Sequence, residues 1–322
     1  MREASRTRKQ QSGISAACCV RPTHISLAHS HPIPPPLIME QPQHPPDLVG
    51  VQHWLHRTLK QHKLASFTHR LLRDALTVAL GMKSAALLDF HLPPPVLERV
   101  LQRIHATDAQ LFTPLVLLTL FTPTDTSVFM LHRPSFLHDS RLQASAVPLV
   151  DISPSLANPR LLTSETAASM IDQLHSFNSM LITALEADTS LSHLTLHSPP
   201  SLCLPTLCGW LLSYPLLYTF PSTFDVPSTN CLSNQPLTVF TLSLHPTALL
   251  SRLSPPFASE SGCVLLQSFS VPSRLLSESV VVAALQAWEV RVDEVCSSEA
   301  VSRWVHRLSI SKATVCLPHV SL

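Results

Sequence analysis

The chain has 322 residues, of which 45% are hydrophobic and only 13% are charged, and its formal net charge is +1. Disordered chains show the opposite composition, so most of this chain is expected to fold around a sizeable core. The near-neutral charge disfavours nucleic acid or an anionic membrane surface as the main partner. The sequence contains only 5 glycines but 29 prolines, which disfavours glycine-rich phosphate loops and predicts short elements separated by prolines.

The first 48 residues differ in composition from the rest of the chain. They contain the proline-rich run Pro32–Pro36 and show no helical or strand periodicity, which predicts a disordered or polyproline-II tail. Our hypothesis is that residues 1–38 are a gene-model extension and that translation starts at Met39. No apolar segment of secretory-signal length is present near the N-terminus, so we expect an intracellular, cytoplasmic protein with free thiols.

From His53 the apolar residues recur at helical spacing. The pattern predicts an amphipathic helix, or two helices joined near Lys63, that ends at Gly81. A buried strand is predicted next, ending at Asp89. Another helix is predicted within Pro93–Ala106, because prolines stand at its start and the apolar residues after them fall on one helical face.

Strong β-forming runs at Leu115–Phe121 and Ser127–Arg133 flank a Pro/Asp turn, which predicts a hairpin. Val147–Ile152 is typical of another short strand. The clearest helical pattern covers Ser164–Ala187, with Ser164 as the expected N-cap.

The C-terminal part is predicted to contain mainly strands. Four segments alternate like strands or are rich in β-formers: Leu191–His197, Pro236–His245, Cys263–Val271 and Leu308–Leu317. One further helix is expected within Val271–Val295, beginning at Pro272. The mixed order predicts a single α+β domain over residues 49–322, with a mixed or largely antiparallel sheet and helices packed on it.

The segment Leu202–Phe220 contains no charged residue and is almost as long as a membrane span. Pro205, Gly209 and Pro215 interrupt it, and no Lys/Arg cluster lies beside it. We therefore predict a buried helix over residues 205–212 and a strand over residues 215–220, with no membrane span. Membrane association through residues 202–220 stays open as an alternative.

Four residues are candidates for a site. Asp89 follows a predicted strand, where α/β folds often carry ligand groups, although Asp is also common in turns and caps. Cys208 beside Gly209 is the cysteine whose context most resembles that of a nucleophile. Tyr214 and Tyr218 follow it, and both also fit core rings whose hydroxyls reach a backbone partner or the surface.

No known cofactor or metal motif is present. The Cys and His spacings match no zinc site, and nucleotide and dinucleotide loops and the hydrolase elbow are missing. We therefore predict neither a metal nor a cofactor, and no nucleic-acid partner.

Several blocks of the sequence resemble a known family. They are Gly81–Phe90, Cys208–Phe220, Asn230–Leu244, Leu265–Leu276 and Ser309–Leu322. These blocks are similar to the eukaryotic family named in humans for chromosome 1 open reading frame 74, which is catalogued with a domain of unknown function. The resemblance runs from about residue 50 to the C-terminus. It implies an intracellular single-domain protein and supplies no catalytic residue.

Three functions are therefore open. The absence of a reaction signature and the proline-rich tail favour a soluble, non-enzymatic protein-interaction domain. An enzyme or small-molecule-binding protein, with its site near Asp89 and an expected turn at Cys208–Trp210, is the second; membrane association is the third. A pocket that gathers Asp89, Tyr214, Tyr218 and a histidine would favour the second function, whereas a filled interior would favour the first.

Overall fold

The computed structural model describes residues 47–322 apart from residues 91, 123–125, 139–146, 189, 200–201, 221–229, 248–262, 303, 319 and 321–322. The tail predicted for residues 1–48 and the proposed start at Met39 lie almost entirely outside this part. The described residues form an α+β fold, as predicted.

In the first half of the chain, one or two helices alternate with one or two strands. The helices of the described part come from the whole length of the chain. They are α1 (Leu48–Gln61), α2 (Thr68–Ala79), α3 (Pro94–His105), α4 (Ala109–Phe112), α5 (Arg133–His138), α6 (Ser164–Ala187), α7 (Leu204–Leu211), α8 (Ser279–Ser297) and α9 (Glu299–Ser302), with 3₁₀ turns at Ala65–Phe67 and Ser273–Leu275. The strands are β1 (Ala85–Leu88), β2 (Leu115–Phe121), β3 (Thr126–His132), β4 (Leu149–Asp151), β5 (Arg160–Leu161), β6 (His193–His197), β7 (Leu217–Thr219), β8 (Pro236–Pro246), β9 (Val264–Pro272) and β10 (Val305–Cys316).

The described strands pair in three sheets, where the sequence suggested one. The first has the order β1-β3-β2-β6; it contains the predicted hairpin β2-β3, and only β6 joins it in parallel. The second, β10-β8-β9, is antiparallel throughout. The third, β5-β4-β7, pairs β4 and β7 in parallel. Strands β1 and β9 are therefore edge strands.

Both faces of the first sheet are buried. Successive side chains of a strand point to opposite faces. Leu117 of β2 accordingly joins a core cluster with α1, α2 and α3, whereas its neighbours Val116 and Leu118 join a second cluster with α6 and α7. This double burial explains why β2 reads as a continuous apolar run and not as an alternation.

Three residues with positive φ follow helices whose positions were predicted correctly from the sequence. Lys63, Gly81 and Ser213 have φ of 60°, 69° and 58° and follow α1, α2 and α7. At α2, the Gly81 N–H donates to Val78 O over 2.8 Å and the Met82 N–H donates to Thr77 O over 3.0 Å, which is a Schellman ending. The predicted break near Lys63 and the predicted end at Gly81 are confirmed.

Several predicted boundaries are wrong. The last long helix, α8, begins at Ser279 and not at Pro272, because β9 continues to Pro272 and a 3₁₀ turn follows it. Strand β10 begins at Val305, since its pairing with β8 extends that far. Helix α6 has the predicted limits, but its N-cap is Thr163, whose backbone is extended, and not Ser164.

The uncharged segment Leu202–Phe220 is divided as predicted. It forms α7 and then the short strand β7, which covers less than the predicted residues 215–220. Within the described ranges, no helix has the length and apolar character needed to cross a membrane.

Candidate functional site

The expected turn at Cys208–Trp210 is helical. These residues lie in the last turns of α7, and the chain reverses only at Ser213. The Ser213 N–H donates to Trp210 O over 3.0 Å, and the Tyr214 N–H donates to Gly209 O over 2.9 Å. This Schellman ending satisfies two carbonyls of the helix and places Tyr214 against its last turn.

Gly209 permits a close approach between α7 and β7. A Cβ at this position would lie 3.0 Å from Leu217 Cδ2 and 3.6 Å from Tyr214 Cδ2. The first distance is shorter than an ordinary van der Waals contact, so a larger residue would require the Leu217 side chain to shift. The end of α7 and strand β7 can therefore pack closely, because Gly209 has no side chain.

Two hydrogen bonds hold the end of α7 between the edge strands β1 and β9. Ser213 Oγ donates to Ser84 Oγ, just before β1, over 2.8 Å. From β9, Gln267 Nε2 donates to Leu212 O over 3.0 Å. These bonds connect segments that are far apart in the sequence and bring the two sheet edges to the same helix.

A cavity of about 510 Å³ lies where α7, β1 and β9 meet. We call it the tyrosine cavity. Its lining includes Asp89, Cys208, Tyr214, Tyr218, Ser268 and Ser270. All four candidate residues therefore line one cavity, and its volume lies in the range of small-molecule sites, about 300 to 1,000 Å³. Among the described residues that line it there is no histidine.

The two tyrosines are the only ones in the chain, and both hydroxyls bind β9. Tyr214 Oη donates to Ser268 O over 3.2 Å, and Tyr218 Oη donates to Ser270 O over 2.8 Å. Because β9 is an edge strand, these side chains bind carbonyls along an edge that no described strand pairs with. The rings thus combine both interpretations: their hydroxyls have backbone partners, and they also line a cavity.

Burial raises the pKa of both phenols. Together with a smaller effect of the Cys208 thiol, it raises the pKa of Tyr214 to about 12. Burial also raises the pKa of Tyr218, although its hydrogen bond with Ser270 opposes the shift in part. Both phenols are therefore neutral at physiological pH, and neither is suited to act as a general base there.

Asp89 lies at the rim of the tyrosine cavity. Its side chain is 44% exposed, and its Oδ2 accepts a hydrogen bond from Arg70 Nη1 over 2.6 Å. It does not cap α3, whose N-cap is Pro93. Cys208 is half-buried and forms no disulfide. A cysteine nucleophile needs a base beside it, and the described lining of the cavity contains no histidine.

A second cavity, of about 400 Å³, adjoins the first. We call it the basic cavity, because its lining contains Arg70, Arg73 and Lys83 with Asp74. Four residues line both cavities: Leu87, Leu212, Tyr214 and Ser268. Sequence reasoning missed this site. The spacing of residues 70, 73 and 74 on one face of α2 was the available signal, but it is equally typical of a solvated helix face.

A buried ion pair organises the basic cavity. Lys83 Nζ lies 2.9 Å from Asp74 Oδ1, and the two side chains are 12% and 6% exposed. Arg70 Nε is 3.7 Å from Asp74 Oδ2. Burial lowers the pKa of Lys83, while the charge and hydrogen bond of Asp74 act in the opposite direction. Arg73 differs from the others: its Nε is buried without a hydrogen-bond partner in the described part of the chain.

Another polar cluster has the order of a catalytic triad. Glu98 Oε1 lies 2.9 Å from His193 Nδ1, and His193 Nε2 lies 2.8 Å from Thr119 Oγ1. However, Thr119 is only 4% exposed, and none of the three residues lines either cavity. We interpret the cluster as a structural connection of α3 and β6 to β2. In the described ranges, no three His, Cys, Asp or Glu side chains are grouped to share a metal ion.

Both cavities lie in a region matched by a protein-family model. The model, described as Domain of unknown function (DUF4504), matches residues 53–322. The chain belongs to this family. Every residue that lines the two cavities falls within the DUF4504 match. No curated protein and no solved structure matches the chain.

Proposed function

We propose that this DUF4504 domain binds a small, mainly apolar molecule in the tyrosine cavity. The observation that carries the proposal is the cavity of about 510 Å³ at the meeting point of α7, β1 and β9, with Asp89, Cys208, Tyr214 and Tyr218 in its lining. Small-molecule sites are typically concave and mostly apolar, with a few polar groups that orient the ligand.

The walls of the tyrosine cavity are ordered by contacts within the protein. Tyr214 packs on Phe269 with ring centroids 5.6 Å apart, and Phe269 stacks on Phe240 at 5.2 Å. The phenol oxygens donate to β9, so each keeps lone pairs that can accept a hydrogen bond from a ligand. A preformed site loses little conformational entropy when it binds, which favours affinity.

A protein-interaction function has less support from the surface. Among the described residues, the large apolar side chains that are exposed belong to α1, β2, α6, β9, α8 and the C-terminal segment: Val49, Phe121, Met180, Leu265, Val280, Val290 and Leu317. Exposed apolar residues that occur singly are normal on soluble domains. We therefore place ligand binding ahead of the protein-interaction and membrane alternatives.

We also propose that residues 49–322 form a single domain of an intracellular protein. Residues Pro45–Leu322 form one contact unit, which supports a single domain over residues 49–322. None of the described cysteines forms a disulfide, which supports an intracellular location. The sequence blocks quoted above support grouping this family with the one named for chromosome 1 open reading frame 74.

A dye-binding experiment tests the proposed function. N-phenyl-1-naphthylamine is neutral, apolar and more fluorescent out of water, so we expect the full chain to raise its fluorescence. The variant Cys208→Phe should abolish this signal, because the larger ring fills the cavity. The control is Cys316→Phe, which makes the same change at an exposed thiol at the end of β10.

Two results would contradict the proposal: no fluorescence increase with the unmodified chain, or an equal increase with Cys208→Phe. The thermal unfolding of each variant shows that it is folded, and Leu204→Trp narrows the same cavity from the start of α7 if Cys208→Phe is unstable. A thermal-shift screen of metabolites then searches for the natural ligand, since a ligand that binds only the folded state raises the melting temperature.

A further inference from the structure

We infer that the molecule bound in the tyrosine cavity carries one carboxylate, which binds beside Arg73 in the basic cavity. This inference rests on the proposed function, because the apolar part of the ligand occupies the tyrosine cavity. It adds the chemical class of the ligand: an apolar molecule with a single negative charge at one end.

Because the two cavities share lining residues, a ligand that extends past these residues would reach both. Tyr214 and Ser268 line each of them, and so do Leu87 from β1 and Leu212 from the end of α7. The shared wall is the contact between the Tyr214 hydroxyl and the Ser268 carbonyl. A ligand that lies along this wall therefore has its apolar part near Tyr218 and its other end near α2.

The charges of the two linings leave one cation without a partner. Within the described residues, these linings contain three cations, Arg70, Arg73 and Lys83, and two carboxylates, Asp74 and Asp89. Lys83 pairs with Asp74 over 2.9 Å, and Arg70 pairs with Asp89 over 2.6 Å. The positive charge that remains is that of Arg73.

The surroundings of Arg73 indicate a ligand group. Its Nε is buried and lacks a hydrogen-bond partner among the described residues, and a buried donor without a partner destabilises the protein. A guanidinium group binds a carboxylate with two parallel hydrogen bonds, and such charge-assisted bonds are short and strong. A carboxylate bound to the part of the guanidinium that lines the cavity would neutralise its charge.

The charge balance favours a carboxylate over a phosphate. One unmatched positive charge neutralises a monoanion, whereas a dianion would leave a negative charge in a partly buried site at a considerable desolvation cost. The ion pair at Lys83 and Asp74 is already complete, so it has no full charge to offer a second negative group.

A matched pair of dyes tests the inference. 8-Anilinonaphthalene-1-sulfonate has the body of N-phenyl-1-naphthylamine with one added sulfonate, which serves as the monoanion. We expect the full chain to bind the sulfonated dye more tightly, and Arg73→Gln to weaken its binding about tenfold while binding of the neutral dye is unchanged. Arg73→Lys should restore part of the affinity. Arg57→Gln, at an exposed position of α1 outside both linings, is the control and should change neither dye.

Competition with the unmodified chain keeps the inference testable if Arg73→Gln does not fold. Decanoate should displace the sulfonated dye at a lower concentration than decanol, and at a lower concentration than decyl phosphate at pH 8, where the phosphate carries two charges. Displacement by decanol as effective as that by decanoate would overturn the inference, and so would a stronger effect of decyl phosphate.

The two proposals fail in different ways. Equal binding of both dyes, blocked by Cys208→Phe and insensitive to Arg73→Gln, would overturn the carboxylate and leave the proposed function supported. If neither dye binds, or if both bind equally well to Cys208→Phe, the proposed function is overturned and the inference with it.

Discussion

The tyrosine cavity and the basic cavity share a wall, but their polar groups are satisfied in different ways. In the first, the neutral phenols of Tyr214 and Tyr218 donate to backbone carbonyls of β9. In the second, charged groups are buried. Asp74 and Lys83 form a buried ion pair, and the Arg73 Nε is a buried donor without a described hydrogen-bond partner.

This difference assigns the two cavities different roles. Burying a neutral group costs little free energy when the group is hydrogen-bonded, so such groups can define the shape of a cavity. Buried charges cost several kcal/mol in desolvation and are tolerated only where a partner compensates them. We therefore expect the basic cavity to respond most strongly to substitution and the tyrosine-cavity wall to respond more mildly.

The largest effect is expected for Asp74→Asn. The substitution keeps the shape of the side chain but leaves Lys83 buried without a counter-charge, which should lower the free energy of unfolding by about 3 to 5 kcal/mol. Urea denaturation measures the loss. Replacing both partners in Asp74→Leu/Lys83→Met should recover most of it, because no unpaired charge is then left.

The matched control for this prediction is Glu289→Gln. Lys312 Nζ lies 2.9 Å from Glu289 Oε1, the same separation as in the buried pair, but these side chains are 53% and 38% exposed. Solvent screens such a pair, so the loss should stay below about 1 kcal/mol. Equal losses for Asp74→Asn and Glu289→Gln would mean that burial does not distinguish the basic cavity.

A smaller effect is expected at alkaline pH from the tyrosine cavity. Because the pKa of Tyr214 is raised from 10.0 to about 12 in the folded chain, its contribution to stability is complete below pH 10. The contribution is lost as pH rises through the folded pKa and amounts to about 3 kcal/mol. The near-ultraviolet absorbance of phenolate measures the titration of Tyr214 and Tyr218 together, since they are the only tyrosines.

Phenolate absorbance with a midpoint near 10, in a chain that circular dichroism shows to be folded, would contradict the tyrosine-cavity geometry. Tyr214→Phe separates the two phenols, because the remaining titration then belongs to Tyr218. This variant should cost only about 1 kcal/mol, the usual contribution of one hydrogen bond.

How well each region could be predicted depends on the range of the contacts that form it. Helices α3 and α6 follow from apolar residues three and four positions apart, and the hairpin β2-β3 follows from two runs with a short turn. The division of the strands into three sheets depends on contacts between distant segments. No local pattern carries that information.

The candidate site shows the same limit. Cys208, Tyr214 and Tyr218 are close in the sequence, and a charge-free segment drew attention to them. Their approach to Asp89 and β9 is a consequence of the fold. The partners of both phenols are backbone carbonyls, which any residue type can supply, so no residue pattern could have indicated them. In the sequence alone, Arg73 resembles a solvated helix residue, and only the fold shows its neighbours.

The smallest predicted effect concerns how firmly the wall of the tyrosine cavity is held. Lys63 and Ser213 occupy the same left-handed position, after α1 and after α7. Glycine relieves the strain of a side chain there, so Lys63→Gly should raise the free energy of unfolding by about 0.5 to 1 kcal/mol. Ser213→Gly should gain less, because it also removes the 2.8 Å hydrogen bond to Ser84 Oγ that holds α7 against β1. Urea denaturation of the two variants measures the difference. Equal stabilisation would mean that this bond does not contribute to the wall.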